Sequence, residues 1–421
     1  MNRLSVVDEI FLRAHRGMGT PIALQGIWRT ADPVEPELLH RIHAALSIGP
    51  LGRRVIRSRV PGARPRWQTN SQSRPLELAE HPIPAALLLD WADRQGSELD
   101  PEFGPGWRLA AAALDDGGYA IALTCSHALA DGRAVALAVD HALAGTPLAA
   151  PLAGHSDWAD ARRQWRTVLG GTVRALRHGI PDRPAPPAKR AASREPHDTT
   201  RPRRSDPTTT RSAVLRIPAR DWNRVAVAYG GTANSLFVHL MANMLWDSGF
   251  PSDTIVASLP VDTRDEPRVD NDMAMTEIAI TRDDAPLTIR RKARAAYEHR
   301  MTSPGGMPEE LLQVIPDRWA YKLAKGAGER DILCSNIGTL PDSLLTLGPH
   351  ACTGVAARAI HPGLRADDLP RTRLSGYLTR IADEYTLSVV SLDPDAVRDN
   401  AALRDLAGAA LSDLRLDATR W

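Results

Sequence analysis

The sequence predicts an α/β protein in two lobes, and three observations carry that prediction. The chain has 421 residues, more than the roughly 250–300 at which one hydrophobic core stops growing. Strand-like and helix-like segments are mixed within each half instead of being segregated. Between the halves, residues 181–211 hold seven prolines and eight lysines or arginines with almost no large apolar side chain, the composition of an exposed crossover. The expected organisation is an N-terminal lobe at 1–180, a Pro/Arg-rich linker at 181–211 and a C-terminal lobe at 212–421.

Each element follows from its local pattern. "PIALQGIWRTAD" (21–32) is apolar and β-branched and reads as a strand, although its alternation is imperfect. "EPELLHRIHAAL" (35–46) sets Leu38, Leu39, Ile42, Ala45 and Leu46 on one helical face. "GWRLAAAAL" and "GYAIALTCSH" flank Asp115-Asp116-Gly117-Gly118, a hairpin signal. "GRAVALAVDHALAG" (132–145) has helical period and a stop at Gly145.

In the second half "RSAVLRIPA" (211–219) is strand-like. Thr232 can cap a helix whose stripe is Leu236, Phe237, Leu240, Met241, Met244 and Leu245, a core stripe and not a cofactor box. "TIVASLPVD" and "MAMTEIAIT" are strands, residues 286–300 a helix with a basic face, and "DILCSNIGTLPD" a strand running into a loop. A second hairpin turns across Ala382-Asp383-Glu384, and residues 396–414 close the chain as a helix.

Composition excludes several classes. Hydrophobic residues at 43% and charged ones at 24% are globular values, and a net charge of +2 makes no case for nucleic acid or a membrane surface. The basic character of 181–211 reads as a solvated linker. Three widely spaced cysteines, Cys125, Cys334 and Cys352, read as reduced thiols. Asp8 and Glu9 interrupt the place where a signal peptide needs an apolar stretch, and no run nears the ~18 apolar residues of a membrane span. A soluble, cytoplasmic protein is expected. High alanine and arginine with little lysine suggest a GC-rich bacterial genome.

The chemistry narrows by elimination. The chain has no GxxxxGK[ST] loop, no GxSxG elbow and no HExxH pair. Cys125 and His127 could share a metal, but no second pair stands nearby, so no metal is expected. What survives is "SHALADG" (126–132), which places His127 where a buried hairpin strand ends. A neutral imidazole there can take a proton from a hydroxyl or amine, and the rigid strand end fixes its direction. Asp131 could orient the ring, bind backbone amides or pair with an arginine. Gly132 would let the chain take a φ that other residues avoid. These seven residues alone fit a core turn at least as well as a placed base.

The wider context resembles one superfamily. "SHALADG" after the second strand of a first-lobe hairpin is similar to the HxxxDG motif of the acyltransferases that include chloramphenicol acetyltransferase, condensation domains of peptide synthetases, wax ester synthases and polyketide-associated acyltransferases. "LSVVDEIFL" (4–12), "SLPVDTR" (258–264), "DNDMAMTEIAI" (270–280), "CSNIGTLPD" (334–342) and "LSGYLTR" resemble further segments of that superfamily in the same order. Two departures stand out. Ser126 replaces the first of two histidines usual in condensation domains and wax ester synthases, and the plant-type DFGWG motif is missing.

The resemblance implies two chloramphenicol-acetyltransferase-like lobes with a channel between them and His127 mid-channel. It implies acyl transfer from an acyl-CoA or acyl-carrier-protein thioester to a small-molecule hydroxyl or amine, with no acyl-enzyme and no metal or redox cofactor. Asp131 would pair with a second-lobe arginine, for which Arg264 is the matching candidate, with Gly132 supporting the loop. Ser126, Ser335 and Asn336 would line the channel. The basic faces around 286–300 and 181–211 would suit an acidic carrier. Two alternatives remain: a non-catalytic carrier- or partner-binding protein, and the same fold used for epimerisation or cyclisation.

Overall fold

The computed structural model describes residues 3–70, 72–146, 156–178, 210–298, 309–324 and 329–421. The proposed linker at 181–211 therefore lies almost wholly outside the described residues.

The first half opens with helix α1 (Val6–His15), whose start is fixed by a capping box between Ser5 and Asp8. Then come β1 (Ala23–Thr30), α2 (Pro36–Ile48) and a small hairpin of β2 (Arg53–Ile56) and β3 (Arg66–Thr69). The short β4 (Glu77–Leu78) and α3 (Leu88–Arg94) lead into the β5 (Trp107–Ala113) and β6 (Tyr119–Ser126) hairpin, which turns at Gly117 with φ +86°. Seven of the eight residues of β6 are buried, because both faces of the sheet are covered there. Helix α4 (Gly132–Ala144) follows at once, capped by Asp131 and stopped by Gly145 in the left-handed region at φ +64°. Helix α5 (Asp157–His178) ends this half.

The second half begins with β7 (Arg211–Pro218), α6 (Ala219–Ala228) and α7 (Ala233–Asp247), the last under a Thr232–Ser235 capping box. All six apolar stripe residues of α7 are buried. Next come β8 (Thr254–Asp262), β9 (Met273–Thr281), α8 (Pro286–Glu298), α9 (Leu311–Val314) and α10 (Asp317–Ala324). The chain closes through β10 (Ile332–Thr339), β11 (Thr346–Leu347), β12 (His350–Ile360), the β13 (Leu374–Ile381) and β14 (Glu384–Ser391) hairpin, α11 (Asn400–Asp413) and β15 (Thr419–Arg420).

Two large sheets result. One runs β11-β12-β1-β6-β5-β4 and the other β15-β7-β14-β13-β10-β8-β9. The expected α/β architecture in two lobes is present, but the sheets do not follow the sequence division at 181–211. Strands β11 and β12, deep in the second half, complete the first sheet, where β12 pairs antiparallel with β1. A strand with the weak pattern of "HACTGVAARAI" acquires its place only through that partner. The second sheet packs α6, α7, α8 and α11 on one face around Trp222, Phe237 and Met241. Tyr377, Ile381 and Val390 on its other face join the core of the first lobe. Among the described residues no single helix is long and apolar enough to cross a membrane.

Candidate active site

Strand order places His127 beside the start of β1. Ser126 pairs with Ala23, and the next residue, His127, donates its backbone N–H to the Ile22 carbonyl. The imidazole is about nine-tenths buried and stacks on Phe11 of α1, with ring centroids 3.5 Å apart and planes 12° from parallel. It lines a cavity of about 400 Å³ between the lobes, together with Trp28, Met273, Ser335 and Tyr377.

The ring's tautomer follows from its neighbours. Asn271 donates from Nδ2 to the Asp8 carboxylate (2.9 Å) and to the His127 carbonyl (2.8 Å), the second of which can only accept. Its Oδ1 therefore faces His127 Nδ1 at 3.1 Å and accepts that N–H. The lone pair is left on Nε2. Burial lowers the imidazole pKa below its ordinary 6.5, opposed by its backbone hydrogen bond, the charge of Asp131 and the bond to Asn271. At neutral pH the ring is an uncharged base with one nitrogen committed to position.

Asp131 faces away from this lone pair and does two jobs. Its Oδ1 accepts the Ala134 N–H at 2.9 Å, which caps α4. Its Oδ2 accepts from Arg264 Nη2 at 2.6 Å and from the Asp272 N–H at 3.1 Å. The two side chains are 8% and 5% exposed, so the pair is buried. Arg264 spends its other donors on Asp262 and on the carbonyls of Arg268 and Asp270. Arg53 adds a second tie, donating from Nη2 to the carbonyls of both Leu129 and Val269 while its guanidinium stacks 4.1 Å above Trp67.

Gly132 lines the cavity but not for the expected reason. It is the first residue of α4 and does not have positive φ. A Cβ there would stand 3.2 Å from Ile337 Cδ1 of the second lobe, so glycine serves close approach and not an unusual dihedral. Ser126 also departs from the reading: it is not among the residues lining the cavity. As the last residue of β6 it alternates away from His127, and its Oγ accepts the Ala128 N–H at 3.3 Å. Ser335 and Asn336 do line the cavity. Asn336 is largely spent locally, since it accepts the Gly338 N–H and donates to Asn234.

Sequence reasoning missed Asn271, Phe11 and Asp8. The first lies within "DNDMAMTEIAI" and the other two within "LSVVDEIFL", segments noted for resemblance, with Asp8 otherwise read only as a charge that interrupts an apolar stretch. No local period marks any of them as facing an imidazole.

With the site's geometry fixed, comparison with known proteins places the fold. No family model matches the chain, and no curated protein matches it in sequence. Solved structures do match over almost its whole length. The first condensation domain of the CDA synthetase superposes with a TM-score of 0.62 at 15% identity, covering 99% of each chain. The wax ester synthase/diacylglycerol acyltransferase from Marinobacter aquaeolei VT8 gives 0.58 at 17% identity and 98% of each chain. The epimerization domain from the third module of tyrocidine synthetase B gives 0.52 at 15% identity, over 98% of this chain and 95% of that one. The fold is thus the two-lobed, chloramphenicol-acetyltransferase-like condensation fold. What these solved structures share with the chain at such identities is that architecture.

Two expectations follow from the geometry. Arg264→Met should destabilise the protein by roughly 3–5 kcal/mol, because it leaves the buried Asp131 carboxylate without its cation, and Asp131→Asn should cost less, because Arg264 keeps Asp262 at 2.8 Å. The double variant should cost much less than their sum, with a coupling of about 0.5–3 kcal/mol in a denaturant double-mutant cycle. Additive losses would mean that the two side chains do not act as a pair.

Asn271→Ala removes the group that holds Nδ1 protonated, and the buried partners it strands cost about 1–3 kcal/mol. Below its melting transition the folded variant should still show a lower kcat with KM little changed. An unchanged kcat would separate Asn271 from His127.

Proposed function

We propose that the protein is an acyltransferase of the condensation type. It moves an acyl group from a CoA or carrier-protein thioester to a hydroxyl or amine. The observation that carries this reading is the free Nε2 of His127, held in a buried cavity by a neighbour that fixes the opposite nitrogen.

In the proposed step Nε2 takes the proton of the acceptor O–H or N–H as that oxygen or nitrogen attacks the thioester carbonyl carbon. The tetrahedral adduct collapses by breaking the C–S bond. The leaving thiolate takes the proton back from the imidazolium, so the enzyme returns to its starting state with no covalent intermediate. Asp131 carries no proton in this scheme and acts by anchoring the loop. A carrier-protein donor would suit the exposed Arg290, Arg291 and Arg294 of α8.

Epimerisation is the second reading, favoured by a second buried histidine, His361, on the same cavity. Burial, chiefly, holds His361 down to about 4, which makes it a weak partner for two-sided proton exchange at neutral pH. Product mass decides: acyl transfer joins two molecules, whereas epimerisation leaves the mass unchanged.

His127→Ala should reduce acyl transfer by ~10²-fold or more, the scale of a lost general base, with the circular dichroism and melting of a folded protein. Near-normal turnover would remove the base assignment. The sign of the pH dependence is also set. Protonation of Nε2 abolishes the base, so kcat/KM should be full at neutral pH and fall as pH drops, with a midpoint below 6.5. Loss of the hydrogen bond in Asn271→Ala should move that midpoint lower still. A limb centred above 6.5 would contradict the burial argument.

A further inference from the structure

His361 follows the last residue of β12 as His127 follows the last residue of β6. Leu24 of β1 stands between Cys125 and Ala359, its register partners on either side. Two residues on along each outer strand come His127 and His361. The two imidazoles therefore flank the entrance to β1, and both line the cavity between the lobes.

Their fixed nitrogens are alike. His361 Nδ1 lies 2.9 Å from the Pro21 carbonyl oxygen, which can only accept, so Nδ1 carries the hydrogen. The lone pair of the neutral ring is on Nε2. That atom is buried and has no hydrogen-bond partner in the protein, although the residue is only 8% exposed. Burial and the nearby His127 keep the ring from protonating, with a pKa of about 4. An unpartnered buried acceptor carries a desolvation cost. A ligand hydrogen that meets it recovers that cost.

We propose that His361 Nε2 accepts a hydrogen bond from the acyl acceptor, so that the cavity selects acceptors with two donor hydrogens at the reacting end. One donor serves His127 and the other His361. A vicinal diol or a primary amine meets this requirement, and a monohydric alcohol does not. The identity of the ligand as acyl acceptor rests on the proposed acyl transfer, whereas the unpartnered nitrogen on a cavity-lining residue rests on geometry alone.

The test uses the whole protein, isotope-labelled at histidine nitrogen, with octanol, its vicinal diol and octylamine as probes. The Nε2 resonance of His361 should move on addition of diol or amine and stay in place with octanol. His361→Phe should weaken binding of diol and amine by about tenfold or more and leave octanol unaffected. His361→Gln, which retains an acceptor, should restore part of the preference. No shift with any probe, or equal loss for all three in His361→Phe, overturns the inference and leaves His361 a structural residue. If the resonance responds as expected but no acyl product forms with any donor, the site stands and the acyl-transfer reading falls. If transfer depends on His127 but ignores His361, the reverse holds.

Discussion

The buried pair between Asp131 and Arg264 is the constraint on which the site depends. A buried ion pair contributes little net stability compared with apolar packing, since desolvating two charges offsets their attraction. Its value here is positional. Asp131 belongs to the loop between β6 and α4, and Arg264 to the connection between β8 and β9. With Arg53 bridging Leu129 and Val269, two guanidinium groups tie these segments from the two halves of the chain. Removing Arg264 strands the Asp131 carboxylate and removing Arg53 leaves two carbonyls short of a donor, so the loop that carries His127 has one well-defined relation to the second lobe.

The same connection supplies the residue that orients the base. Asn271 lies one residue before Asp272, whose backbone N–H binds Asp131, so one short segment holds both the loop and the ring. Its amide is itself oriented from the other side by Asp8, a buried side chain in the first turn of α1. Burial, opposed by the Ser5 N–H, the Asn271 bond and the Arg53 charge, raises the Asp8 pKa. While Asp8 is ionised it can only accept, and the Asn271 amide has a single satisfactory orientation. The tautomer of His127 is thus set through a chain of hydrogen bonds that begins at the N-terminal capping box.

How much of this was legible depends on the range of the interaction involved. The β5–β6 hairpin, the α7 stripe and the stop at Gly145 are local, and the pattern of neighbouring residues reveals them. Strand β12 is not local, because its small and polar residues become a buried strand only beside β1, more than three hundred positions away. The site divides in the same way. His127 and Asp131 share one motif, and Arg264 could be matched to it through resemblance. Asn271 and Asp8 meet across 263 positions, a contact that only the folded chain makes. Gly132 and Ser126 show the limit from the other side, since the residues were noticed but their facing partners were not visible in the sequence.

Both histidines at the head of β1 are buried in a setting that disfavours the charged ring, and burial lowers both pKa values, yet their neighbours differ. For His127, burial is opposed by its backbone bond, the carboxylate of Asp131 and the accepting oxygen of Asn271. For His361 a single backbone carbonyl opposes burial, and His127 itself adds to the downward shift. Titratable groups in one cavity with different charged neighbours can take different roles. The imidazole with anionic support can accept a proton and stabilise the resulting charge. The unsupported one stays neutral and offers only a lone pair. Under the proposed acyl transfer the first nitrogen would take the proton and the second would meet the ligand, and β1, the strand between them, positions both.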